Sequence, residues 1–112
     1  MALRSRFETI HVSGALAAST TVIVSAVALQ FAAIYKLIVT TSGTATLIIQ
    51  DTANNVLSQT FSFGTSGGSI TLDIPINNEP WWMSGNGITA GLGLQYVVTG
   101  TVNHDTWYLQ RP

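Results

Sequence analysis

Cysteine is absent from all 112 residues and charge is scarce: Lys, Arg, Asp and Glu make up 8% of the chain, against about 25% in an ordinary soluble domain. The first absence excludes disulfide frameworks, thiolate metal sites and thiol nucleophiles. The second leaves Arg4, Arg6, Lys36 and Arg111 as the fixed cations, with a net charge of −1. No basic surface is available to follow a phosphate backbone, so nucleic acid is not an expected partner. A soluble monomer normally keeps a charged coat, so a chain this poor in charge is expected to cover part of its surface with other protein.

Charge is also missing from residues 12–35, a stretch long enough to cross a bilayer as a helix. Ser13, Ser19, Thr20, Thr21, Ser25 and Gln30 interrupt it, and the β-branched run at residues 20–24 suits a strand. Two strands and a turn are expected there, not a membrane span. Glu8 and His11 precede the apolar part, which is the wrong order for a secretory signal.

What the chain does contain is alternation. Eight runs of β-branched or period-two residues, at 7–12, 20–28, 32–41, 45–51, 56–64, 69–74, 87–94 and 101–110, are separated by Gly, Asn, Ser and Pro turns. Leu57, Phe61 and Phe63 oppose Ser58, Thr60 and Ser62, and Ile70, Leu72 and Ile74 oppose Thr71 and Asp73. Pro75 ends the sixth run by removing a ladder donor. The spacing predicts an all-β fold, an eight-stranded antiparallel β-sandwich with the jelly roll as leading topology and a Greek-key barrel as the alternative. Residues 1–19 form an N-terminal arm with an edge strand, and residues 20–112 form the sandwich, a single domain large enough for a core of its own.

Two runs break the pattern of one apolar and one polar face. In the third, Tyr35, Leu37 and Val39 share one side while Ile34 and Ile38 stand with Lys36 on the other; in the second, Val22 and Val24 oppose Ile23 and Val27. Two layers bury only one face of each strand, so an identical subunit is expected over the second face, against Ile23, Val27, Ile34 and Ile38.

Catalytic equipment is thin. The imidazoles are His11 and His104, and the neighbours His104 and Asp105 point to opposite faces of any strand that holds them. Asp51, Asn54 and Asn55 lack the acidic spacing of a calcium loop and suit a hairpin turn. The acids Glu8, Asp51, Asp73, Glu79 and Asp105 show no pairing suited to glycoside cleavage. The glycines around Asn86 precede no helix or Lys-Ser/Thr step that would cradle phosphate. Neither an enzyme nor a cofactor or metal site is expected. Trp81, Trp82 and Met83, in the irregular stretch 75–86, are the cluster with a claim to binding. Adjacent residues in an extended loop diverge, so one tryptophan can plug the sandwich while the other faces a partner. Trp107 and Tyr108 are expected to be strand residues.

The run at 20–27, the strand 34–39 before a Ser-Gly-Thr turn, the loop Pro80-Trp81-Trp82 followed by Gly85-Asn86-Gly87, and the ending 98–102 leading into Trp107-Tyr108 together resemble the small jelly-roll decoration, or cement, proteins of tailed bacteriophage heads. The resemblance is one of layout, from about residue 20 onward. It implies a structural virion protein, made in the host cytoplasm and placed on the outer surface of the capsid. Such proteins form homotrimers, or sometimes dimers, that brace neighbouring major capsid subunits. Capsid contact is expected of Arg4, Arg6 and Phe7, since a mobile polar arm can order against a partner. Trp81, Trp82 and Met83 are the next candidates. The alternative function is a trimeric receptor- or carbohydrate-binding tip of a phage fibre, with the Trp loop as a stacking platform.

Overall fold

Alternating β-branched residues produce strands wherever turn chemistry lets them pair, and the computed structural model, which describes residues 9–73 and 79–112, contains nine. They are β1 (Ile10–Leu16), β2 (Ser19–Val24), β3 (Phe31–Thr41), β4 (Ala45–Asp51), β5 (Phe61–Phe63), β6 (Gly68–Asp73), β7 (Trp82–Met83), β8 (Leu94–Thr99) and β9 (Val102–Arg111). All pairings are antiparallel. One sheet has the order β1-β9-β3-β6, with β7 also on β3, and the other the order β2-β8-β4-β5. The one helical element among the described residues is the 3-10 turn Ser84–Gly87. No helix is long and apolar enough to cross a membrane among those residues.

The expected count of eight is corrected to nine because Trp82 and Met83 pair with Ile34 and Ala33, extending the β6 edge where only irregular backbone was foreseen. The seventh expected strand, at 87–94, is also displaced. Gly85, Gly87 and Gly91 have positive φ, and a Cβ on Gly93 would collide with the Val24 carbonyl oxygen, so this glycine-rich run turns and approaches other backbone closely. Pairing begins at Leu94 and occupies the segment expected to be a connection. At the other end of the chain, β1 continues through Ser13 and Gly14, sits at the edge of its sheet, and buries Leu16 in the core.

The two sheets face each other across one apolar core, giving a sandwich-like all-β molecule. Leu37 and Val39 of β3, Leu47 and Ile49 of β4, Leu94 and Tyr96 of β8 and Val102 of β9 are almost wholly enclosed. Leu57, Phe61 and Ile70 pack on this cluster from its margin, as their alternation predicts. Ile34 requires a correction. It is fully buried among the core residues instead of standing outward with Ile38. The register against β9 shifts between Ile34 and Lys36, and this bulge at Tyr35 places one extra residue in β3. A single extra residue reverses the in-out parity of everything before it. Tyr35 therefore clusters with Ala33 and Leu109 on the other side. A second irregularity between Val22 and Val24 in β2 leaves Val22 53% exposed while Val24 is buried and Ile23 packs on the core margin.

Candidate functional site

The Trp81-Trp82 loop is clamped to the sandwich from three sides. The Trp81 N–H donates to the Ile34 carbonyl oxygen at 2.8 Å. The Ala32 N–H donates to Ser84 Oγ at 2.9 Å, and the Gly85 N–H to Asp51 Oδ2 at 3.0 Å. Alternation in the short β7 turns Trp82 toward the core, where it meets Phe61 edge-on at 5.9 Å. Met83 points the other way and joins Ala33, Tyr35 and Leu109. Trp81 stays 40% exposed, with its ring 6.1 Å from that of Trp82 and tilted by 37°. Clefts of about 460 Å³ and about 350 Å³ open beside the pair. Glu79, Asn86 and Gly87 line the first, and Gln59 and Leu72 the second.

Asp51 is the hub of the hydrogen bonds at this end. Its Oδ1 accepts the N–H groups of Ala53 and Asn55, and its Oδ2 accepts from the Asn55 side chain and from Gly85, all at 3.0 Å. Burial by itself would raise this carboxyl, but the Asn55, Gly85 and Ala53 donors outweigh it and hold it below its ordinary value. The group is therefore a buried carboxylate that ties the β4–β5 turn to the Ser84–Gly87 turn. Its lone pairs face N–H donors, which is hairpin chemistry and not a cation site. Three loops converge here, because the Thr52 N–H bonds Gly93 O, Gly93 N–H bonds Thr52 Oγ1 and Gly91 N–H bonds Gln30 O.

The histidines lie on opposite faces of the same sheet. His104 is buried inward, with Nδ1 2.9 Å from Thr106 Oγ1, which is 2.7 Å from the Tyr96 hydroxyl. The chain of bonds is satisfied if Tyr96 O–H donates to Thr106 and Thr106 O–H donates to His104, an assignment made from the network. Burial lowers the His104 imidazole; the Asp105 carboxylate opposes that shift and His11 adds to it. Burial likewise pushes the Tyr96 phenol upward.

His11 belongs to an outer cluster that sequence reasoning did not assemble. Its ring stacks on Trp107 at 4.4 Å and its Nε2–H donates to Asp105 Oδ1 at 2.9 Å. Lys36 Nζ lies 4.9 Å from the Trp107 ring and 3.7 Å from Asp73 Oδ2. Trp107 is thus flanked by a histidine from β1 and a lysine from β3. Only the β1–β9 register, which sets His11 against Trp107, could have revealed it. No group of three or more His, Asp or Glu side chains capable of holding a metal occurs among the described residues.

Of the remaining candidates, Val27 is exposed in the β2–β3 loop beside Leu29, which is 80% exposed, and Ile38 is half-buried on the outer face with Lys36. Arg4, Arg6 and Phe7 lie outside the described residues, as does Ile74. β1 and β2 are the edge strands of their sheets on the same side of the sandwich. Neither contains Lys, Arg, Asp or Glu. No family model matches the chain, and neither a characterised protein nor a solved structure matches it.

Proposed function

We propose that this chain is a structural assembly subunit, a capsid decoration protein that self-associates and braces neighbouring major capsid subunits on the outer surface of a mature phage head. The observation that carries the reading is the edge formed by β1 and β2, which holds no Lys, Arg, Asp or Glu and which no further strand among the described residues covers. Soluble monomers blunt such edges with Lys, Pro or a covering segment, because a row of unpaired N–H and C=O groups recruits further strands. Here the described edge carries only Ser, Thr, His, Gly and apolar side chains, and Val22 is half-exposed on it.

The finer topology belongs to the same proposal. With the two-residue β7 set aside, the orders β1-β9-β3-β6 and β2-β8-β4-β5 support a reading as two interleaved Greek keys, the eight-stranded jelly roll used by viral capsid and lectin domains. Self-association centres on Val22 and Ile23 of the edge and continues through Val27. Ile38 lies on the outer face two strands further in, and Ile34 is removed from the interface by its burial. Antiparallel pairing of β2 with its own copy gives a two-fold dimer, whereas pairing of β2 with a different edge is heterologous and gives a trimer when the rotation between copies is three-fold. The trimer is the form the layout resemblance favours. Arg4, Arg6 and Phe7 are assigned to the capsid contact, and many weak contacts per shell become firm attachment through multivalency.

Sedimentation of the purified chain together with co-sedimentation against assembled phage shells tests this. Discrete dimers or trimers that bind mature shells at fixed stoichiometry, and not unassembled coat protein, are expected. A chain that remains monomeric at high concentration and ignores shells overturns the proposal.

A further inference from the structure

Beyond the assembly role, we infer that the double cleft around Trp81 and Trp82 is a binding site for a neutral pyranose sugar. Both indole rings, 6.1 Å apart and inclined at 37°, line it, and indole faces suit the C–H faces of a sugar ring. Its rim is polar. Glu79 and Asn86 line one cleft and Gln59 the other. None of these three side chains has a hydrogen-bond partner among the described residues, so a carboxylate and two amides are free to take the hydroxyls of a ligand. An apolar peptide would leave them desolvated and unpaired.

The charge of the site narrows the ligand further. Glu79 is the one charged residue lining either cleft among the described residues. Among the described lining residues a phosphate, sulfate or sugar acid would meet a negative group and no cation, whereas a neutral polyol meets acceptors and donors alone. The backbone is built in advance. Asn86 has φ +54° between Gly85 at +62° and Gly87 at +73°, a left-handed run made of the residue types that adopt it most readily. The bonds from Gly85 to Asp51, from Ala32 to Ser84 and from Trp81 to Ile34 hold it there. A site ordered before binding loses little entropy when it closes on its ligand.

The test is an array of neutral hexose and N-acetylhexosamine oligosaccharides, with sialylated and sulfated glycans as the charged arm, followed by titration of the best ligand into the intact protein. Trp107→Phe is used as the background so that the fluorescence reports on Trp81 and Trp82. Binding to neutral glycans with a tryptophan shift is expected. Trp81→Ala should weaken it at least tenfold, and Glu79→Gln and Asn86→Gly several-fold, the last keeping the left-handed backbone. Unaltered circular dichroism and sedimentation separate lost binding from lost folding. No binding to any neutral glycan, preference for the charged arm, or undiminished binding by Trp81→Ala each overturns the inference. The assembly reading is judged separately, by sedimentation and shell binding.

Discussion

His104 and Asp51 show how single ionisable groups couple this fold to pH. The His104 imidazole is enclosed against Tyr96 and Thr106, and burial holds it below its ordinary value of 6.5. Between the folded value and 6.5 the unfolded chain binds more protons than the folded one, so acidification there favours unfolding. The stability contributed by neutral His104 is therefore fully present above 6.5 and is lost as pH falls through the folded value. Asp51 adds a second step with the same sign. Its folded value lies below 3.8, so its contribution is present above that pH and disappears on protonation beneath it. Tyr96 and Thr106 face His104, and Asp105 and His11 act on it through space from the other face of the sheet. Melting temperatures measured from pH 8 to pH 3 should fall in two legs. His104→Gln should abolish the upper leg and leave the lower one, and a wild-type profile flat from pH 7 to pH 5 contradicts the buried-imidazole account.

At the scale of the element, β3 shows where alternation informs and where it fails. Leu37 and Val39 face the core as a period-two reading requires, while Ile34 and Ile38, assigned together to the opposite face, part company at the Tyr35 bulge. A bulge is set by how two strands seat against each other, here β3 against a strand some seventy residues later, and residues 31–41 carry no local mark of it. The Trp loop was legible because adjacent side chains in extended backbone must diverge. The His11-Trp107 stack was not, since it depends on the register between β1 and β9 that sets His11 against Trp107. The contrast within β3 is measurable. Ile34→Ala should cost about 3 kcal/mol, the usual loss for a large buried aliphatic side chain. Ile38→Ala, half-buried on the outer face, should cost about 1 kcal/mol or less by lost area alone. Urea midpoints at unchanged slope measure both, and equal losses would restore the simpler face assignment.

For the whole molecule, the distribution of charge matters more than its amount. Residues 9–35 include β1 and β2 and contain no Lys, Arg, Asp or Glu, whereas the opposite side of the sandwich has Asp73 on β6 paired with Lys36 of β3. β5, the edge of the other sheet on that side, spans only three residues. One flank thus carries charge and ends in the three-residue β5, and the other has no charge on its strands and no covering strand among the described residues. The proposed edge-to-edge pairing through backbone bonds and Val22 would involve no fixed charges on that edge, so any oligomer it forms should survive a rise in salt from 0.05 to 1 M. A lysine placed on the pairing strand should not be tolerated, because its ammonium would be desolvated or set beside its symmetry mate. Val22→Lys, at a position 53% exposed in the free subunit, should leave the melting temperature of the isolated chain within a few degrees, as surface substitutions do. The same change should shift sedimentation from oligomer to monomer. Lys36→Ala, on the outer face away from that edge, should leave the oligomer unchanged. If Val22→Lys still sediments as the wild-type oligomer, the copies meet elsewhere, and the edge loses its role as the assembly surface.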